Sequence, residues 1–321
     1  MNSREIGRVM STDGTSIAFE REGTGPAIIL VDAAGNFRGF SPMPQLAEAL
    51  APDFTVFTYD RRGKGASTDT LPYAVDREIE DLQALINLAG GSAFVHGFSS
   101  GAILALLAAE RGVGVRKLSL LEPPLRVEGT PPPAASGISG EVAKLIVTGR
   151  RGEAYEHWLR GIGVPGEMIT GMRQGPLWPA LEATAHTLIY DSLIPGSLPP
   201  DRLAAISTPT LAVASEGSDE RLRNWARGVA HALPHATARF LPGTWHGVSA
   251  EHLAPALAEF FTVTKSPQPA AVPAGCVSAG QQQHPQPDTR GPAGVSQPVR
   301  RPHPIPGMTK SHSATRRRKE H

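Results

Sequence analysis

The sequence predicts an α/β protein with a mostly parallel central sheet of about eight strands flanked by helices, and with a helical cap inserted after the sixth strand. Three observations support this class. Apolar segments typical of buried strands alternate with helical segments of about ten residues, which is the pattern of βαβ units. A hairpin pattern precedes this alternation. Residues 123–207 interrupt it, because they show helical patterns and no convincing strand.

The first part of the chain predicts a hairpin and then alternating strands and helices. Glu5–Met10 and Ser16–Glu22 flank the turn sequence Thr12-Asp13-Gly14-Thr15, which is typical of a hairpin. Apolar runs predict strands that are buried on both faces. The strands expected next are 27–31, 54–59, 93–96 and 115–121, and the helices between them are 42–50, 76–88 and 101–110.

The second part predicts a helical insertion and then two further strands. Helical patterns occur near 140–148, 153–159 and 177–193, followed by strands at 210–214 and 237–241 and amphipathic helices at 222–233 and 253–261. Ligands of open α/β sheets bind at the carboxyl ends of the strands. We therefore expect residues 123–207 to form a cap over that edge of the sheet.

The end of the chain differs in composition from the rest. Residues 265–321 contain nine Lys and Arg, two Asp and Glu, ten of the 30 prolines and none of the 18 aromatic residues. Such a segment cannot bury enough apolar surface to offset the entropy of ordering, so we predict a disordered, basic, Pro- and Gln-rich tail. A basic arm for anionic partners is the alternative. Residues 1–264 carry a net charge of −6 and are predicted to form one domain.

Composition excludes several classes of protein. No run of about 18 apolar residues occurs, so no transmembrane helix is expected, and the first residues lack the apolar core of a signal peptide. The single cysteine, Cys276, lies in the tail, which argues against a disulfide framework or a cysteine metal site. The acidic folded body argues against nucleic-acid binding. We expect a cytoplasmic protein without membrane association, metal or organic cofactor.

One motif suggests a nucleophile. Gly97-Phe98-Ser99-Ser100-Gly101 matches G-x-S-x-G and lies between a predicted strand and a predicted helix. In that context the serine sits on a sharp strand-to-helix turn, and the two glycines leave room for it. The helix N-terminus supplies positive potential where an oxyanion would form. We predict Ser99 as the nucleophile; Ser100, or a Gly/Ser turn without function, are the alternatives.

These features resemble the α/β-hydrolase fold family over about residues 5–263. The loop Asp60-Arg61-Arg62-Gly63-Lys64-Gly65-Ala66-Ser67 is similar to the family's D-x-R-G-x-G-x-S. The chain looks most like the small, capped, cofactor-free bacterial members. The resemblance implies the chain order serine, acid, histidine. Serine at the nucleophile position argues against epoxide-hydrolase or dehalogenase chemistry, for which the family uses aspartate.

The resemblance implies that His246 is the general base. It follows the last predicted strand in Gly243-Thr244-Trp245-His246, which is similar to the family's Gly-x-x-His before the final helix. His252 lies inside that helix or at its start. His96 directly precedes the G-x-S-x-G motif, where a packing role is expected.

Two loops offer the carboxylate that would orient His246. Glu122 ends an apolar run, where an unpaired carboxylate would be costly, and some capped family members place their acid at that strand end. The later loop carries Glu216 and Asp219, but alignment with the family's Gly-x-x-Asp puts Ser218 at the aspartate position. We favour Glu122 over Asp219, and Asp219 over Glu216. Asp219 is alternatively a helix N-cap, and Glu122 a strand-end acceptor of backbone hydrogen bonds.

The backbone amides of Ala34 and Ser100 are the oxyanion donors that the resemblance implies by position. Asp32 stands where the family usually has a histidine, and we expect it to brace this loop.

Four aromatic residues are expected to contact the substrate, namely Phe98 beside the nucleophile and Trp158, Trp178 and Tyr190 in the cap. For the aromatic residues of the cap, the alternative is a small helical core.

Together these expectations describe a serine hydrolase that acts on a carboxylic ester or a similar small acyl substrate. An acyltransferase or a C–C bond hydrolase would use the same residues. A ligand-binding member of the fold without catalysis is the alternative from another class.

Overall fold

The computed structural model of the chain describes residues 4–125 and 139–262. The predicted tail at 265–321 and part of the predicted cap therefore lie outside the described residues. Contacts divide the chain at Ser266, so that the described residues belong to one unit, Met1–Ser266.

The secondary structure follows the predicted alternation. The strands are β1 (Glu5–Met10), β2 (Ser16–Glu22), β3 (Ala27–Val31), β4 (Thr55–Tyr59), β5 (Ala93–Phe98), β6 (Val115–Leu121), β7 (Thr210–Ser215) and β8 (Ala236–Leu241). The helices are α1 (Met43–Leu50), α2 (Val75–Leu88), α3 (Ser100–Glu110), α4 (Ser139–Val147), α5 (Arg151–Ile162), α6 (Gly166–Gln174), α7 (Trp178–Thr184), α8 (Thr187–Leu193), α9 (Glu220–Ala232) and α10 (Ala250–Thr262), with a 3₁₀ helix at Pro200–Ala205.

The eight strands form one sheet in the order β1-β2-β4-β3-β5-β6-β7-β8. β2 pairs antiparallel with β1 and β4, and the remaining neighbours are parallel. In the hairpin turn, Gly14 has a φ of 83°, and the Asp13 carboxylate accepts a hydrogen bond from the Thr15 amide at 3.0 Å. The predicted fold class, a mostly parallel sheet of eight strands with flanking helices, is confirmed.

Helices cover both faces of the sheet because alternate strand residues point to opposite sides. In β3, Ile29 and Val31 pack with apolar residues of α2, α3 and α9, whereas Ile28 and Leu30 pack with those of α1 and α10. α3 is apolar on all sides, and its residues 100–108 are buried. Such a helix belongs in the interior of a large domain. The turn that precedes α3 is therefore joined to a helix that is buried along most of its length.

The described part of the segment between β6 and β7 contains the α-helices α4–α8, which we call the cap helices. They share an apolar cluster of their own that includes Tyr155, Trp158 and Trp178. α6 has no counterpart in the sequence prediction; Ile169 is its only buried residue. The single pattern predicted at 177–193 is two short helices, α7 and α8, separated at Ala185 and His186. None of the helices in the described ranges is long and apolar enough to cross a bilayer.

Candidate active site

Three residues of the predicted site have unusual backbone conformations. Among residues 4–125 and 139–262, Ser99, Glu122 and His246 are the non-glycine residues with positive φ, at 52°, 46° and 52°. Such conformations are uncommon for L-amino acids and cluster at functional sites. Each of the three follows the carboxyl end of a strand: β5, β6 and β8 respectively. Because these strands lie parallel in the sheet, the three residues lie at the same edge.

The turn at Ser99 needs both of its flanking glycines. A Cβ on Gly97 would lie 2.5 Å from the Cα of Ala102, and a Cβ on Gly101 would lie 2.3 Å from the carbonyl oxygen of Val31. Backbone atoms cannot move aside at such distances, so only glycine fits. The Ser99 amide donates to the carbonyl of Leu121 at 2.9 Å, which ties the turn to β6.

The carboxylate of Glu122 contacts the ring of His246. The Oε2 atom of Glu122 lies 2.6 Å from Nδ1 of His246, and the side chain of Glu122 is fully buried. The other carboxylate oxygen, Oε1, accepts hydrogen bonds from the Ser215 amide at 2.8 Å and the Ser218 hydroxyl at 2.7 Å. With Nδ1 paired to a carboxylate, Nε2 is the ring nitrogen left to take up a proton.

The two other candidate acids lie elsewhere. Asp219 is the N-cap of α9, where its Oδ1 accepts from the Leu222 amide at 3.0 Å. Glu216 is exposed. Ser218, which aligns with the family's aspartate, instead donates to Glu122, and its hydroxyl also accepts from the His246 amide at 3.0 Å. Sequence reasoning missed this supporting role, although the alignment had pointed to position 218.

The loop after β3 carries the first proposed oxyanion donor, Ala34. Ala34 and Ser100 line the same cleft as Ser99 and His246. Asp32 is buried and accepts hydrogen bonds from the Ala33 amide at 2.7 Å and the Asn36 side chain at 2.9 Å. These bonds brace the loop, as predicted. Burial raises the pKa of Asp32, against the hydrogen bonds that stabilise its charge.

A cleft that is partly open to solvent lies above Ser99, and the space in it and at its mouth together measures about 610 Å³. Its wall is mainly apolar and contains Pro124, Trp158, Ile162, Pro195, Leu222, Trp225 and Trp245. The charged residues Arg221 and Asp191 and the imidazole of His246 also line it. Three of these residues did not emerge from the sequence as substrate contacts, namely Trp225, Trp245 and Arg221. No local pattern shows that the start of α9 reaches this cleft.

The predicted substrate-contacting residues separate into two groups. Trp158 lines the cleft. Trp178 does not: its indole N–H donates to Glu182 at 2.8 Å and its ring packs against Tyr155. Tyr190 is also turned away, because its hydroxyl donates to Asp69 at 2.8 Å and its ring stacks on Tyr73 at 3.9 Å.

Phe98 lies next to His246 rather than in the wall of the cleft. Its ring centroid is 5.0 Å from that of His246, and it lines a second cavity below the histidine together with Leu121 and His96. Metal ligation has no support in the described ranges, which contain no group of three or more His, Cys, Asp or Glu residues able to hold an ion.

Comparison with known proteins identifies the family. The model of the alpha/beta hydrolase family matches residues 29–260, and the chain belongs to this family. It is similar to an alpha/beta hydrolase from Sphaerobacter thermophilus, with 46% identity and a TM-score of 0.74 over 80% of this chain and 100% of that one. A thermophilic esterase from Thermogutta terrifontis shares the fold at 24% identity and a TM-score of 0.60, over 75% of this chain and 91% of that chain.

A curated relative is matched over a shorter segment. The uncharacterized hydrolase YraK of Bacillus subtilis is 33% identical over 101 residues, which are 30% of this chain and 36% of that protein.

Proposed function

We propose that the protein is a serine hydrolase that acts on a carboxylic ester or a similar acyl substrate through Ser99, His246 and Glu122. The observation that carries this proposal is the 2.6 Å contact between the buried Glu122 carboxylate and Nδ1 of His246, beside the cleft that Ser99 also lines. A buried carboxylate at Nδ1 fixes the histidine tautomer and stabilises the imidazolium.

In the first half of the reaction, Ser99 Oγ attacks the carbonyl carbon of the substrate while Nε2 of His246 takes up the hydroxyl proton. The resulting oxyanion accepts hydrogen bonds from the amides of Ala34 and Ser100, and the N-terminus of α3 adds positive potential. When the tetrahedral intermediate collapses, the bond to the leaving alcohol breaks, and that alcohol receives the proton from His246. An acyl-enzyme on Ser99 remains.

In the second half, water attacks the acyl carbon and gives a proton to His246. The second tetrahedral intermediate releases the carboxylic acid and returns the proton to Ser99 Oγ. The carboxylate of Glu122 stabilises the positive charge that His246 carries twice per cycle.

The wall of the cleft supports a lipophilic acyl group as the substrate class. The apolar surfaces of three side chains line the same space beside Ser99: Trp158 and Ile162 belong to α5, and Trp225 belongs to α9. Ligand pockets of this kind take up the apolar part of a ligand, while a few polar groups set its orientation. We expect the polar groups here to be the oxyanion donors and His246.

A fluorophosphonate probe and a panel of p-nitrophenyl esters graded by acyl length test this proposal. Wild type should be labelled at Ser99 and should hydrolyse the esters. Ser99→Ala should lose labelling and about a millionfold in kcat, since loss of the nucleophile has that effect in subtilisin. Ser100→Ala is the comparison variant: it keeps its backbone amide and loses one side-chain hydrogen bond, so its kcat should fall by about tenfold at most, far less than in Ser99→Ala.

Two results would contradict the proposal. Unlabelled wild type without ester hydrolysis would indicate a ligand-binding member of the fold. Near-wild-type turnover in Ser99→Ala would exclude Ser99 as the nucleophile.

A further inference from the structure

A second buried carboxylate lies on the cap side of the cleft. Asp191 belongs to α8, and its side chain has no solvent exposure. Its Oδ1 atom lies 2.8 Å from Nη1 of Arg61, and its Oδ2 atom lies 2.7 Å from Nζ of Lys64. Both cations are 1% exposed and belong to the loop after β4. We call Asp191, Arg61 and Lys64 the cap ion cluster. It joins a cap helix to the sheet.

The same carboxylate also binds the loop after β3. Oδ2 of Asp191 accepts a hydrogen bond from the Gly35 amide at 2.8 Å, and the Tyr155 hydroxyl of α5 donates to the Gly35 carbonyl, also at 2.8 Å. Two cap side chains therefore hold both polar backbone groups of Gly35. This glycine follows Ala34, the proposed oxyanion donor. The fit is close: Gly35 has a φ of 73°, and a Cβ there would lie 2.6 Å from the Tyr155 hydroxyl.

The cluster reaches the second proposed donor as well. Nη1 of Arg61, which pairs with Asp191, also donates to the Ser100 hydroxyl at 3.3 Å. Its Nε and Nη2 atoms pair with Glu78 at 2.7 and 2.6 Å, which fixes the guanidinium plane. Both proposed oxyanion donors thus depend on one set of buried charges. Ala34 does so through its neighbour Gly35, and Ser100 does so through its side chain.

The charges of the cap ion cluster make these contacts depend on the packing of α8 against the loops after β3 and β4. Burial alone would raise the pKa of Asp191, but the charges of Lys64 and Arg61 and its hydrogen bonds hold that pKa below its ordinary value. Burial and the Arg61 charge lower the pKa of Lys64, and Asp191 opposes this. Removing one partner from such a group leaves an uncompensated buried charge. The cluster is therefore satisfied only while α8 lies against the loops after β3 and β4.

We propose that Asp191 is a positioning residue: through Gly35 and Arg61 it holds the loops that carry the Ala34 and Ser100 amides in the arrangement that binds the oxyanion. The cap is then a part of the oxyanion hole as well as a wall of the cleft. This inference rests on the proposed function.

The test compares Asp191→Asn with Asp81→Asn. Asp81 is a matched control because it is equally buried and pairs bidentately with Arg62, at 2.8 and 2.7 Å, in the same loop after β4. It does not line the cleft. Both variants lose a buried ion pair, so both should have a lower Tm. Only Asp191→Asn should lower kcat, by about a hundredfold, the size of effect seen when one oxyanion donor is lost.

KM should change by less than about threefold in Asp191→Asn, since the effect lies in the transition state. In Asp81→Asn, kcat should stay within about twofold of wild type. Both are measured on protein shown to be folded by circular dichroism.

The affinities for a pair of inhibitors give a measurement that a loss of stability alone would not change. A trifluoromethyl ketone forms a tetrahedral adduct with Ser99 whose oxygen occupies the oxyanion hole, whereas the matching methyl ketone binds without forming it appreciably. Asp191→Asn should lose affinity for the trifluoromethyl ketone by about the factor lost in kcat, with methyl ketone affinity unchanged. Asp81→Asn should bind both ketones like wild type.

A Tyr155→Phe variant, which removes one hydrogen bond to Gly35 and keeps the ring, tests the same loop if Asp191→Asn does not fold. Its kcat should fall about tenfold.

Two outcomes overturn the inference. One is an equal kcat in Asp191→Asn and Asp81→Asn; the other is an equal loss of affinity for the two ketones. If wild type is active and labelled at Ser99 while either result is found, only the inference fails. If wild type is neither active nor labelled, the proposed function itself is wrong.

Discussion

The two sides of the cleft are built in different ways. On the sheet side, Ser99, Glu122 and His246 follow strand ends, and all three have a φ in the left-handed region. On the cap side, Trp158 and Asp191 project from regular helices. In the described ranges, non-glycine residues with positive φ thus occur on the sheet side and not in the cap helices.

This difference shows which part of the molecule can maintain strained backbone conformations. Strained conformations persist only where the surroundings over-determine them. The sheet does so: the Ser99 amide donates to Leu121 and the Glu122 amide donates to Val213, each at 2.9 Å. The cap has a smaller core and leaves apolar side chains such as Val147 and Met168 exposed. The proposed nucleophile, base and acid therefore follow strands of the sheet, whereas the cap contributes the wall of the cleft and the cap ion cluster.

Among the substitutions that test this comparison, we expect the largest effect on kcat at the proposed acid, Glu122. Glu122→Gln keeps the shape of the side chain but removes the charge that stabilises imidazolium. In a comparable triad, amide replacement of the acid lowers kcat about ten-thousandfold. Asp219→Asn is the control, because a helix N-cap contributes only about 0.5–2 kcal/mol of stability and asparagine also caps. Steady-state kinetics on folded protein should separate the two variants.

The reverse ranking would place the acid in the later loop. If Asp219→Asn were inactive and Glu122→Gln active, the contact seen at His246 would not be the one used in catalysis. If both variants kept their activity, neither residue would be the essential acid, and Glu216 would be the next candidate.

An intermediate effect is expected on the pH dependence of stability. Burial lowers the pKa of His96, in β5, to about 3. The unfolded chain binds a proton there below about pH 6.5 and the folded chain does not, so stability is complete above that pH and falls on acidification. Between pH 7.5 and pH 5, wild type should lose about 2 kcal/mol more than His96→Gln in urea unfolding.

A histidine near the cap serves as the comparison. His186 is about a third exposed and lies 3.7 Å from Asp69. Burial lowers its pKa too, with the Asp69 charge opposing, so His186→Gln should change the pH dependence in the same direction but less. A larger change from His186→Gln than from His96→Gln would show that burial affects the histidine near the cap more than the one in the sheet. That result would contradict the view that the sheet is the more rigid side of the cleft.

The smallest effect is expected in the wall of the cleft. Trp158→Phe removes part of an aromatic surface that lines the cleft, so kcat/KM should fall about tenfold for a long-chain ester and little for an acetyl ester. Trp178→Phe is the matched control, because Trp178 packs in the cap core against Tyr155 and donates to Glu182. Its acyl-length profile should equal that of wild type. Identical profiles for both variants would mean that the acyl group binds elsewhere.

The sequence by itself determined the fold class and the order of its elements. Apolar runs such as Ala27–Val31 are local signals of strands buried on both faces, and the structure has a strand there with the same bounds. The strand-to-helix turn at Ser99 was also predictable, because G-x-S-x-G between a predicted strand and a predicted helix is a local signal. Gly97 is required by the turn itself, whereas Gly101 is required by the carbonyl of Val31 in β3. The sequence favoured Glu122 from the cost of a charge at the end of an apolar strand.

Only the tertiary structure decided which side chains meet. Glu122 and His246 are 124 positions apart, and Lys64 and Asp191 are 127 apart. The sequence shows residues 60–65 as a polar loop, yet Arg61 and Lys64 are buried. The physical reason is that local patterns report which residues avoid water. Whether a charge or an aromatic ring is satisfied depends on the partner that the packing of distant elements brings to it, as Asp69 is brought to Tyr190 and Asp191 to Arg61.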